Sequence, residues 1–531
     1  MESKKIKLKF LQVLLYSSIT GIVVGLFLYI FKTLAHFLYE KQIIIYNFVR
    51  NNPIYIPLFM LGLAVLAFLI YLCIKYEPNA KGGGIARASG ILKGLITFRW
   101  LRLLISTLFS SLLGTISGLP MGLEGPSVIM GTSLSNGVYN ILKPEKGTKR
   151  YILTSGTAAG FTVATGSILA GIVFALEEIH KRFSFLLVMI VVSATASAGV
   201  IVQLLDNIFD KNSQFLPIGE MSKLPLKYIY LVIIIGILSG ILAKIFNKSI
   251  DIANKYISKL KLNAFIKILI NLILVGVIGL FIVQVTGSGH ELIIEIFENN
   301  FSLIILIILL ILKIILISIT INSGATGGMF IPVLVVGSIF GGILQLIFSK
   351  LGLNNIYYKN IIFLTAASFF ASSMATPLTT IVFFLETTLD FNNIMFLVLS
   401  IFISMVISHL LNNEGINEGV LNNILKNYNH EKKLSIYEIR GKVYKDAFVI
   451  SKQARDILWP ANCIIKAIKR ENKGYQMVKG GDKFLHENDV LIFQIQTYDI
   501  KNAKEELSNL IYDYNLEVKK IYGEWSNERI N

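Results

Sequence analysis

The feature that most limits how this chain folds is its series of apolar segments, some long and others cut short by Gly or Pro. The long runs approach the roughly 20 residues that a helix needs to cross a bilayer; they are residues 11–31, 54–74, 101–119, 185–205, 228–245, 266–285 and 303–321. The short or broken runs are residues 128–142, 153–163, 168–176, 331–347, 361–374 and 378–385. Partial helices persist at membrane depth only where protein or a water-filled cavity surrounds them. The pattern predicts an all-α polytopic membrane protein with partial helices.

An internal repeat supports this fold. The first copy reads GLEGPSVIMG, TAAGF and LAGIVFALEE, and the second reads GGMFIPVLVVG, TAASF and LTTIVFFLE. Pro126 precedes Thr157 by 31 residues, and Pro332 precedes Thr365 by 33 residues. Two related halves that each begin with a Gly-Pro break are typical of duplicated transporter folds. The repeat by itself leaves open whether the halves run parallel or inverted.

The net charge of +17 comes from 50 Lys and Arg against 33 Asp and Glu. Residues 431–531 hold only 18 of the basic and 15 of the acidic residues, so most of the excess lies in the apolar part. A nucleic-acid-binding tail would show the reverse distribution, so we expect no nucleic-acid partner. Basic loops between apolar segments indicate cytoplasmic loops, or the attraction of anions. The two cysteines offer no disulfide or metal-ligand spacing, and no cofactor motif is present.

The character of the chain changes after the last apolar run. From about residue 432 no stretch is long enough to span a membrane, and FVISKQARDI, CIIKAIKREN and DVLIFQIQ alternate as half-buried strands do. LWPAN and KGGDKF are typical of turns. The sequence therefore predicts a membrane domain over residues 1–430 and a small cytoplasmic α+β domain over residues 431–531.

Three glycine-rich breaks carry the chemistry: KGGGIARASG at 81–90, GLEGPSV at 122–128 and GATGGMFIP at 324–332. Each precedes a helical run, so each should present free backbone N–H groups and the positive end of a helix dipole, which favour an anion. The alternative is that Gly and Pro merely loosen or cap membrane helices. Three breaks within a repeat favour a functional anion site.

Acidic residues mark two further positions. Glu124 lies inside the second break, where an ionised carboxylate can occupy the anion's place until protonation or an arriving anion displaces it; otherwise it is a first-turn acid stabilised by the dipole. Glu177 and Glu178 end the run ILAGIVFALEE, and adjacent helical residues point about 100° apart, so the two acids cannot share a role. We expect Glu177 to share a structural role with its repeat-mate Glu386, and one acid of the pair to be an inner proton station.

These motifs resemble those of the CLC family of chloride channels and proton-coupled chloride transporters. GLEGP matches the family signature G-x-E-G-P, GGMFIP matches G-x-F-x-P, ATPLTTIVFFLE matches the block that follows it, and FALEE matches the proton-glutamate helix. The signature positions are Gly122, Gly125, Pro126, Gly328, Phe330 and Pro332. The resemblance covers about residues 10–425, with the motifs in the family's order.

The resemblance implies a homodimer in which each subunit has its own pathway, built from two inverted halves of tilted, partial helices. It implies that Glu124 is the external gating glutamate and Glu178 the internal proton glutamate. The anion-binding residues that it implies are Gly83, Gly84, Ile85, Met329 and Phe330.

Several positions depart from the family pattern. The signature G-S-G-I-P is Gly82 to Ala86 here, so Gly83 replaces the serine whose hydroxyl usually touches the central anion. The family's pore tyrosine has no clear match, and Leu421 is the best alignment. Without both hydroxyls the central site depends on backbone donors, a condition associated in this family with loose anion–proton coupling. The proline of GLEGP argues against the fluoride-selective branch.

The tail, about residues 434–511, is similar to the TrkA-C type subdomain of potassium-transport regulators. That similarity implies a regulatory module that binds a small molecule or dimerises, and the alternative is an appendage that stabilises the dimer.

Together these observations predict a proton-coupled chloride antiporter of a prokaryotic cell membrane, with both termini in the cytoplasm. Its partners would be chloride, protons, the lipid bilayer and a second copy of the chain. A passive, voltage- or pH-gated anion channel is the alternative within the family. A membrane-bound sensor is the alternative from another class, and an enzyme is least favoured because no catalytic constellation is present.

Overall fold

A computed structural model of the chain describes residues 2–210, 215–298, 301–428, 434–470, 474–478 and 480–521. Helices make up the first part of the chain, as the sequence predicts. Their bounds are α1 Glu2–Asn51, α2 Ile56–Tyr76, α3 Gly84–Leu92, α4 Trp100–Ile116, α5 Glu124–Leu142, α6 Lys149–Thr165, α7 Ile168–Phe174, α8 Phe185–Ile208, α9 Ile229–Lys259, α10 Ala264–Phe281, α11 His290–Phe297, α12 Leu303–Ser323, α13 Phe330–Lys350, α14 Tyr358–Met374, α15 Pro377–Thr388, α16 Ile394–Leu410 and α17 Ile416–Tyr428.

Within the described residues, seven helices are long and apolar enough to cross a membrane: α1, α2, α8, α9, α10, α12 and α13. Six of them coincide with long apolar runs of the sequence. The exceptions are α4, which has 17 residues, and α13, which continues through the Gly-containing run to reach 21 residues. Pro332 does not shorten α13 because it lies in the first turn, where a helix needs no N–H donor. In the most apolar stretch of α13, 83% of the residues are buried, whereas the figure for α2 is 17%. Protein rather than lipid therefore surrounds α13.

Small residues bring the paired helices of each half close together. In the first half a Cβ on Gly131 of α5 would overlap the carbonyl of Gly156 in α6. In the second half a Cβ on Gly337 of α13 would lie 3.0 Å from Cα of Ala366 in α14. Close backbone approach at small residues is how helices associate in a medium with no hydrophobic driving force between them. The repeat in the sequence is therefore also a repeat in packing.

The two halves meet in an antiparallel contact. The N–H of Gly122 donates to the carbonyl of Gly328 (2.8 Å), and the N–H of Gly328 donates to the carbonyl of Gly122 (2.7 Å). The same motif position in each half thus pairs with its mate, and the two segments run in opposite directions. This is the inverted arrangement that the family resemblance implies.

The C-terminal part forms a five-stranded antiparallel sheet and one helix. Its elements are β1 Ser435–Lys442, β2 Cys463–Arg470, β3 Gly474–Met477, β4 Val490–Thr497, α18 Ile500–Ile511 and β5 Glu517–Ile521. The strand order is β3-β2-β4-β1-β5. β2 and β4 confirm two of the three predicted strands. The third prediction, at residues 448–457, is wrong: that segment forms turns and a short 3₁₀ helix.

The failed strand prediction has a physical reason, since part of this segment packs against the membrane domain. The ring of Phe448 lies 5.4 Å from that of Tyr151 in α6, and it also contacts Gly147. The hydroxyl of Tyr151 donates to the carbonyl of Asp456 (3.0 Å) and accepts from the N–H of Leu458 (3.1 Å). Docking therefore contributes to the burial of this segment, so its apolar pattern does not require a strand.

Arg150, at the start of α6, ties the two domains together. Its guanidinium pairs with Glu506 of α18 (2.5 Å) and also donates to the carbonyls of Trp459 and Lys93. At the other side of the interface, Lys9 of α1 donates to the carbonyl of Asp446 (3.0 Å). The beginning of α1 and the C-terminal domain therefore lie on the same face of the membrane domain.

Candidate anion and proton pathway

The three glycine-rich breaks converge, as the sequence predicts. A Cβ on Gly84, in the first break, would overlap the carbonyl oxygen of Gly125 in the second. A Cβ on Gly125 would lie 2.7 Å from Cα of Gly328 in the third break. The Thr326 hydroxyl, also in the third break, donates to the carbonyl of Ala80 beside the first (2.6 Å). The beginnings of α3, α5 and α13 are thus packed backbone against backbone.

The first break ends in a helix start with free N–H groups. Gly83 precedes α3 with a φ of +66°, a left-handed conformation that favours glycine. Gly84 and Ile85 are the first two residues of the helix, whose N–H groups have no intrahelical partner. Arg87 does not point at these N–H groups: its guanidinium donates to the carbonyls of Lys81 (2.7 Å) and Gly82 (3.3 Å). Backbone donors, rather than a side-chain cation, are available at this end of α3.

The third break supplies the matching helix start. Met329 precedes α13, Phe330 is its first residue, and both are buried. The Phe330 ring packs edge-on against the rings of Phe161 (5.1 Å) and Phe383 (5.0 Å). The aromatic contacts fix the first turn of α13, so its N–H groups keep a defined direction. Gly328 and Pro332 flank this turn as the motif predicts.

Glu124 is the first residue of α5 and its carboxylate lies between two helix starts. The carboxylate faces the backbone N–H groups of Glu124 itself and of Ile331 in the first turn of α13. It also lies directly over Gly122, where any side chain would collide with Oε2. The residue is 1% exposed, and among the described residues Oε2 has no hydrogen-bond partner. Gly122, Gly125 and Pro126 shape the turn that holds this buried acid.

A cavity of about 450 Å³ opens on one side of Glu124. Its wall includes residues of α8, α11 and the loop that precedes α11, together with a polar stripe of α1 that consists of Tyr29, Lys32, His36 and Tyr39. These residues include Lys32, which sequence reasoning missed because it directly follows the apolar run 11–31 and lies 92 positions before Glu124. The predicted apolar run ends at residue 31, whereas α1 continues to Asn51, so the sequence pattern places Lys32 outside the span that contains it.

A second missed cation is Lys313 of α12. It is 1% exposed and its ammonium donates to the carbonyl of Gly287 (3.3 Å), in the loop before α11 that lines the cavity. It is the one charged residue in the apolar run 303–321, which was its signal. Lys313 therefore stabilises this loop by a hydrogen bond and is not itself part of the cavity wall.

Glu177 and Glu386 have the shared structural role that their repeat positions predict. The Glu386 carboxylate accepts from the N–H groups of Ile168, Leu169 and Ala170, at 2.8 to 3.1 Å, at the start of α7. The Glu177 carboxylate accepts from the N–H groups of Leu378 (2.9 Å) and Thr379 (2.7 Å) at the start of α15, and from the Thr379 hydroxyl (2.7 Å). Each acid ends one helix and caps the partner helix of the other half.

Glu178 points elsewhere. Residues Ala175–His180 form a π-helical segment after α7, an irregularity frequent at functional sites. The Glu178 carboxylate faces Asn417 of α17, with Lys181 and Lys93 as neighbouring cations. Lys181 in turn pairs with Glu418 (2.6 Å). Glu178 thus lies on the side of the membrane domain that carries the C-terminal domain.

The residue that faces Gly83 from α17 is apolar. A Cβ on Gly83 would lie 2.8 Å from Cγ1 of Val420, whereas Leu421 lies against Gly90, two turns further along α3. Either side chain lacks a hydroxyl, so this part of the pathway has neither the serine nor the tyrosine of the family pattern. Within the described residues, no group of three or more His, Cys, Asp or Glu could hold a metal ion.

Comparison with known sequences identifies relatives over most of the chain. It is 28% identical over 341 residues to the "H(+)/Cl(-) exchange transporter ClcA" of Vibrio parahaemolyticus, covering 62% of this chain and 72% of the relative. It is 27% identical over 401 residues to the protein of the same name from Vibrio campbellii, covering 73% of this chain and 84% of the relative.

Comparison with solved structures gives the same fold. A slow cyanobacterial Cl⁻/H⁺ antiporter superposes with a TM-score of 0.72 at 24% identity, covering 78% of this chain and 99% of the other. A CLC-type fluoride/proton antiporter superposes with a TM-score of 0.65 at 21% identity, covering 76% and 96%. The family model described as "Voltage gated chloride channel" matches residues 62–409, which include all three glycine-rich breaks and both acidic sites. The chain therefore belongs to the voltage-gated chloride channel (CLC) family.

Proposed function

We propose that this protein is a proton-coupled chloride antiporter that exchanges Cl⁻ for H⁺ across the cell membrane, with Glu124 as its gate. The observation that carries the proposal is the buried Glu124 carboxylate between the starts of α5 and α13. The names of the Vibrio relatives, which are H⁺/Cl⁻ exchange transporters, support the same activity.

The position of Glu124 makes anion binding and proton binding compete. Two helix starts bring N–H donors and the positive ends of two helix dipoles to one point, which attracts either a carboxylate or a chloride ion. An ionised Glu124 therefore blocks the anion from the place that it occupies. Protonation removes the charge, so the carboxyl group leaves the N–H donors and chloride takes its place.

Glu178 is the proposed proton station on the opposite side. It faces Asn417 and lies near Lys181, beside the domain interface rather than in a glycine-rich break. On the side of the C-terminal domain, protons would therefore enter at Glu178, whereas anions would enter through the glycine-rich breaks. The two routes would meet at Glu124. Two separated acids of this kind are what coupled exchange needs, whereas a passive pore needs only the gate.

The central anion is proposed to bind to Gly83, Gly84, Ile85, Met329 and Phe330, through backbone N–H groups alone. Because Val420 rather than a hydroxyl faces Gly83, the anion would have fewer donors here than the family pattern provides. A neutral N–H donor contributes about 1 kcal/mol in net terms. We therefore propose that chloride binds weakly at the centre and that coupling is loose.

Flux measurements in proteoliposomes test the coupling. In the unmodified protein, a chloride gradient should drive protons uphill, and E178A should abolish proton movement while chloride still moves. E124Q should also abolish proton movement and should make chloride flux independent of pH. E487A is the matched control, since Glu487 is an exposed acid of the C-terminal domain, which lies on the same side of the membrane domain as Glu178. If the unmodified protein moves chloride but no protons, the passive channel replaces the antiporter.

The orientation and assembly are further proposals. The beginning of α1 and the C-terminal domain share one face, and the loops and helix ends on that face carry Lys93, Arg150 and Lys181. By the positive-inside rule, this supports a cytoplasmic position for both termini. The homodimer is supported by membership of the family. Each subunit would hold a complete pathway, because one chain supplies all three glycine-rich breaks.

The domain division at residue 430 and the TrkA-C type assignment of residues 431–531 are also proposals. Support comes from the antiparallel sheet with its single helix and from its docking on α6 through Arg150. A domain held this closely against the transporter suits a regulatory module that responds to a small molecule. Thermal shifts of the full-length protein with candidate cytoplasmic metabolites would test for such a ligand.

A further inference from the structure

Among the described residues, seven titratable side chains besides Glu124 line the cavity beside it, although the cavity lies among apolar helices. Four residues of α1, Tyr29, Lys32, His36 and Tyr39, line it from one helix face, because they follow one another at three- and four-residue intervals. Asp206 of α8 and His290 and Glu291 of α11 line the cavity opposite and beside them. This set contains every described titratable side chain that lines the cavity around Glu124.

Lys32 is the cation of this set that acts on Glu124. Its ammonium interacts electrostatically with two carboxylates, those of Asp206 and Glu124. The other charged or polar groups are already engaged: Tyr29 bonds with Asp206, His36 pairs with Glu40 (3.5 Å), and Tyr39 donates to Glu291 (3.4 Å). His290 bonds to the carbonyl of Phe215 (2.5 Å).

The position of Lys32 makes it available to an anion on the way to Glu124. The cavity has room for a hydrated halide, since its volume of about 450 Å³ is many times the roughly 30 Å³ that one water occupies in the liquid. A cation in a cavity with low-dielectric walls raises the local anion concentration. Position 123 of the GLEGP motif is leucine, so the motif itself adds no cation at this mouth.

We propose that Lys32 forms an outer anion station in this cavity, which holds chloride before the ion reaches the helix starts at Glu124. This inference rests on the proposed function. It concerns chloride binding from the outer side, which does not require tight proton coupling. Asp206 competes with the anion for the same ammonium. Removing Lys32 and removing Asp206 should therefore have opposite effects.

The test uses right-side-out membrane vesicles that contain the full-length protein, their sidedness assigned by protease access to the C-terminal domain. Uptake of radiolabelled chloride is measured as external chloride is varied. K32M should raise the half-saturating external chloride concentration about tenfold, because one nearby positive charge is lost. K32R should restore it, and D206N should lower it severalfold. K41M is the matched control, since Lys41 lies on α1 outside the cavity, over the ring of Phe37.

External pH gives a second readout with a definite sign. A cation near Glu124 favours its ionised form, so K32M should move the acid activation of chloride uptake to higher pH and D206N should move it to lower pH. In the E124Q background the pH effects should vanish, while the change in half-saturation should remain.

The outer station is overturned if K32M and D206N both leave half-saturation within twofold of the unmodified protein, or if K41M changes it as much as K32M. If K32M fails to fold, K32Q takes its place, because it removes the same charge and keeps a polar side chain at this position. Loss of proton coupling with these chloride effects intact would overturn the antiporter and leave the station standing.

Discussion

The two halves of the membrane domain share their backbone but differ in the residue that begins each central helix. Gly122 and Gly328 hold equivalent positions and exchange two hydrogen bonds. Two residues later, the first half has Glu124, whose carboxylate faces the pathway, and the second half has Phe330, whose ring packs among other aromatic rings. The glycine pair builds a symmetric scaffold, and only one half adds a titratable group to it.

The acids near the ends of α7 and α15 extend the comparison. Glu177 and Glu386 are repeat-mates and make the same kind of helix cap. Glu178 has no acidic mate, because the equivalent residue is Thr387, whose hydroxyl bonds to the carbonyl of Phe383 (2.7 Å). The acids that the halves share are architectural, and the acids that they do not share, Glu124 and Glu178, are the transport candidates.

Breaking the close contact between Gly125 and Gly328 should have the largest effect. G125A would put a Cβ 2.7 Å from Cα of Gly328, and G328A would put one 2.5 Å from the backbone N of Gly125. Neither backbone can move without displacing a helix start, so we expect several kcal/mol of destabilisation and almost no monodisperse protein by size-exclusion chromatography. G419A is the control, since nothing lies within 4 Å of its Cβ and alanine is preferred in a helix. Equal yields of G125A and G419A would contradict the close packing of the breaks.

Removing either shared acid should have the next largest effect. E177Q and E386Q each replace a carboxylate that accepts three hydrogen bonds, so each should cost about 2 kcal/mol of folding free energy. The melting temperature in detergent should fall by a similar amount in both. E40Q, an exposed acid on α1, should leave it unchanged. A large fall in only one variant would show that the two caps are not equivalent.

Restoring the family's serine at the central site should have an intermediate effect. G83S places a side chain at a left-handed φ and 2.8 Å from Val420, which should cost about 1 to 3 kcal/mol. The V420A change makes room, so the double variant should recover part of the lost stability, and the added hydroxyl should strengthen chloride binding measured by titration calorimetry. The argument fails if G83S alone is as stable as the unmodified protein, since the glycine would then not be required by its surroundings.

The sequence predicts those features that depend on neighbouring residues, and it misses those that depend on distant ones. The three breaks, the helical spans and the motifs within each copy of the repeat are local patterns, and the structure has each of them. The stripe around Lys32, the contact of Val420 with Gly83 and the interaction of Arg150 with Glu506 each join residues far apart in the chain. The predicted strand at 448–457 fails for the same reason, because alternation records burial but not which surface provides it.

The C-terminal domain docks on α6, in the first half of the membrane domain. The reactivity of Cys463 can measure this docking. This thiol is buried at the start of β2, near Arg150 and Glu506, and burial raises its pKa to about 12. Because the thiolate is the reactive form, maleimide labelling at pH 8 should be slow in a C73S background, where Cys463 is the remaining cysteine. Labelling should accelerate as pH rises towards 12, since the thiolate fraction grows about tenfold for each pH unit.

Loosening the interface should expose Cys463 without unfolding the membrane domain. R150A removes the guanidinium that pairs with Glu506 (2.5 Å), so we expect Cys463 to become accessible and labelling at pH 8 to become about tenfold faster. Burial raises the thiol pKa, whereas the Arg150 charge by itself lowers it, so the expected gain comes from exposure of the thiol. R455A is the control, since Arg455 pairs with Asp482 (2.6 Å) at an exposed position. If R150A labels no faster than R455A, Arg150 does not hold the domain in place. The docking would then depend on Tyr151 and its bonds to residues 456 and 458, which Y151F would test by the same labelling.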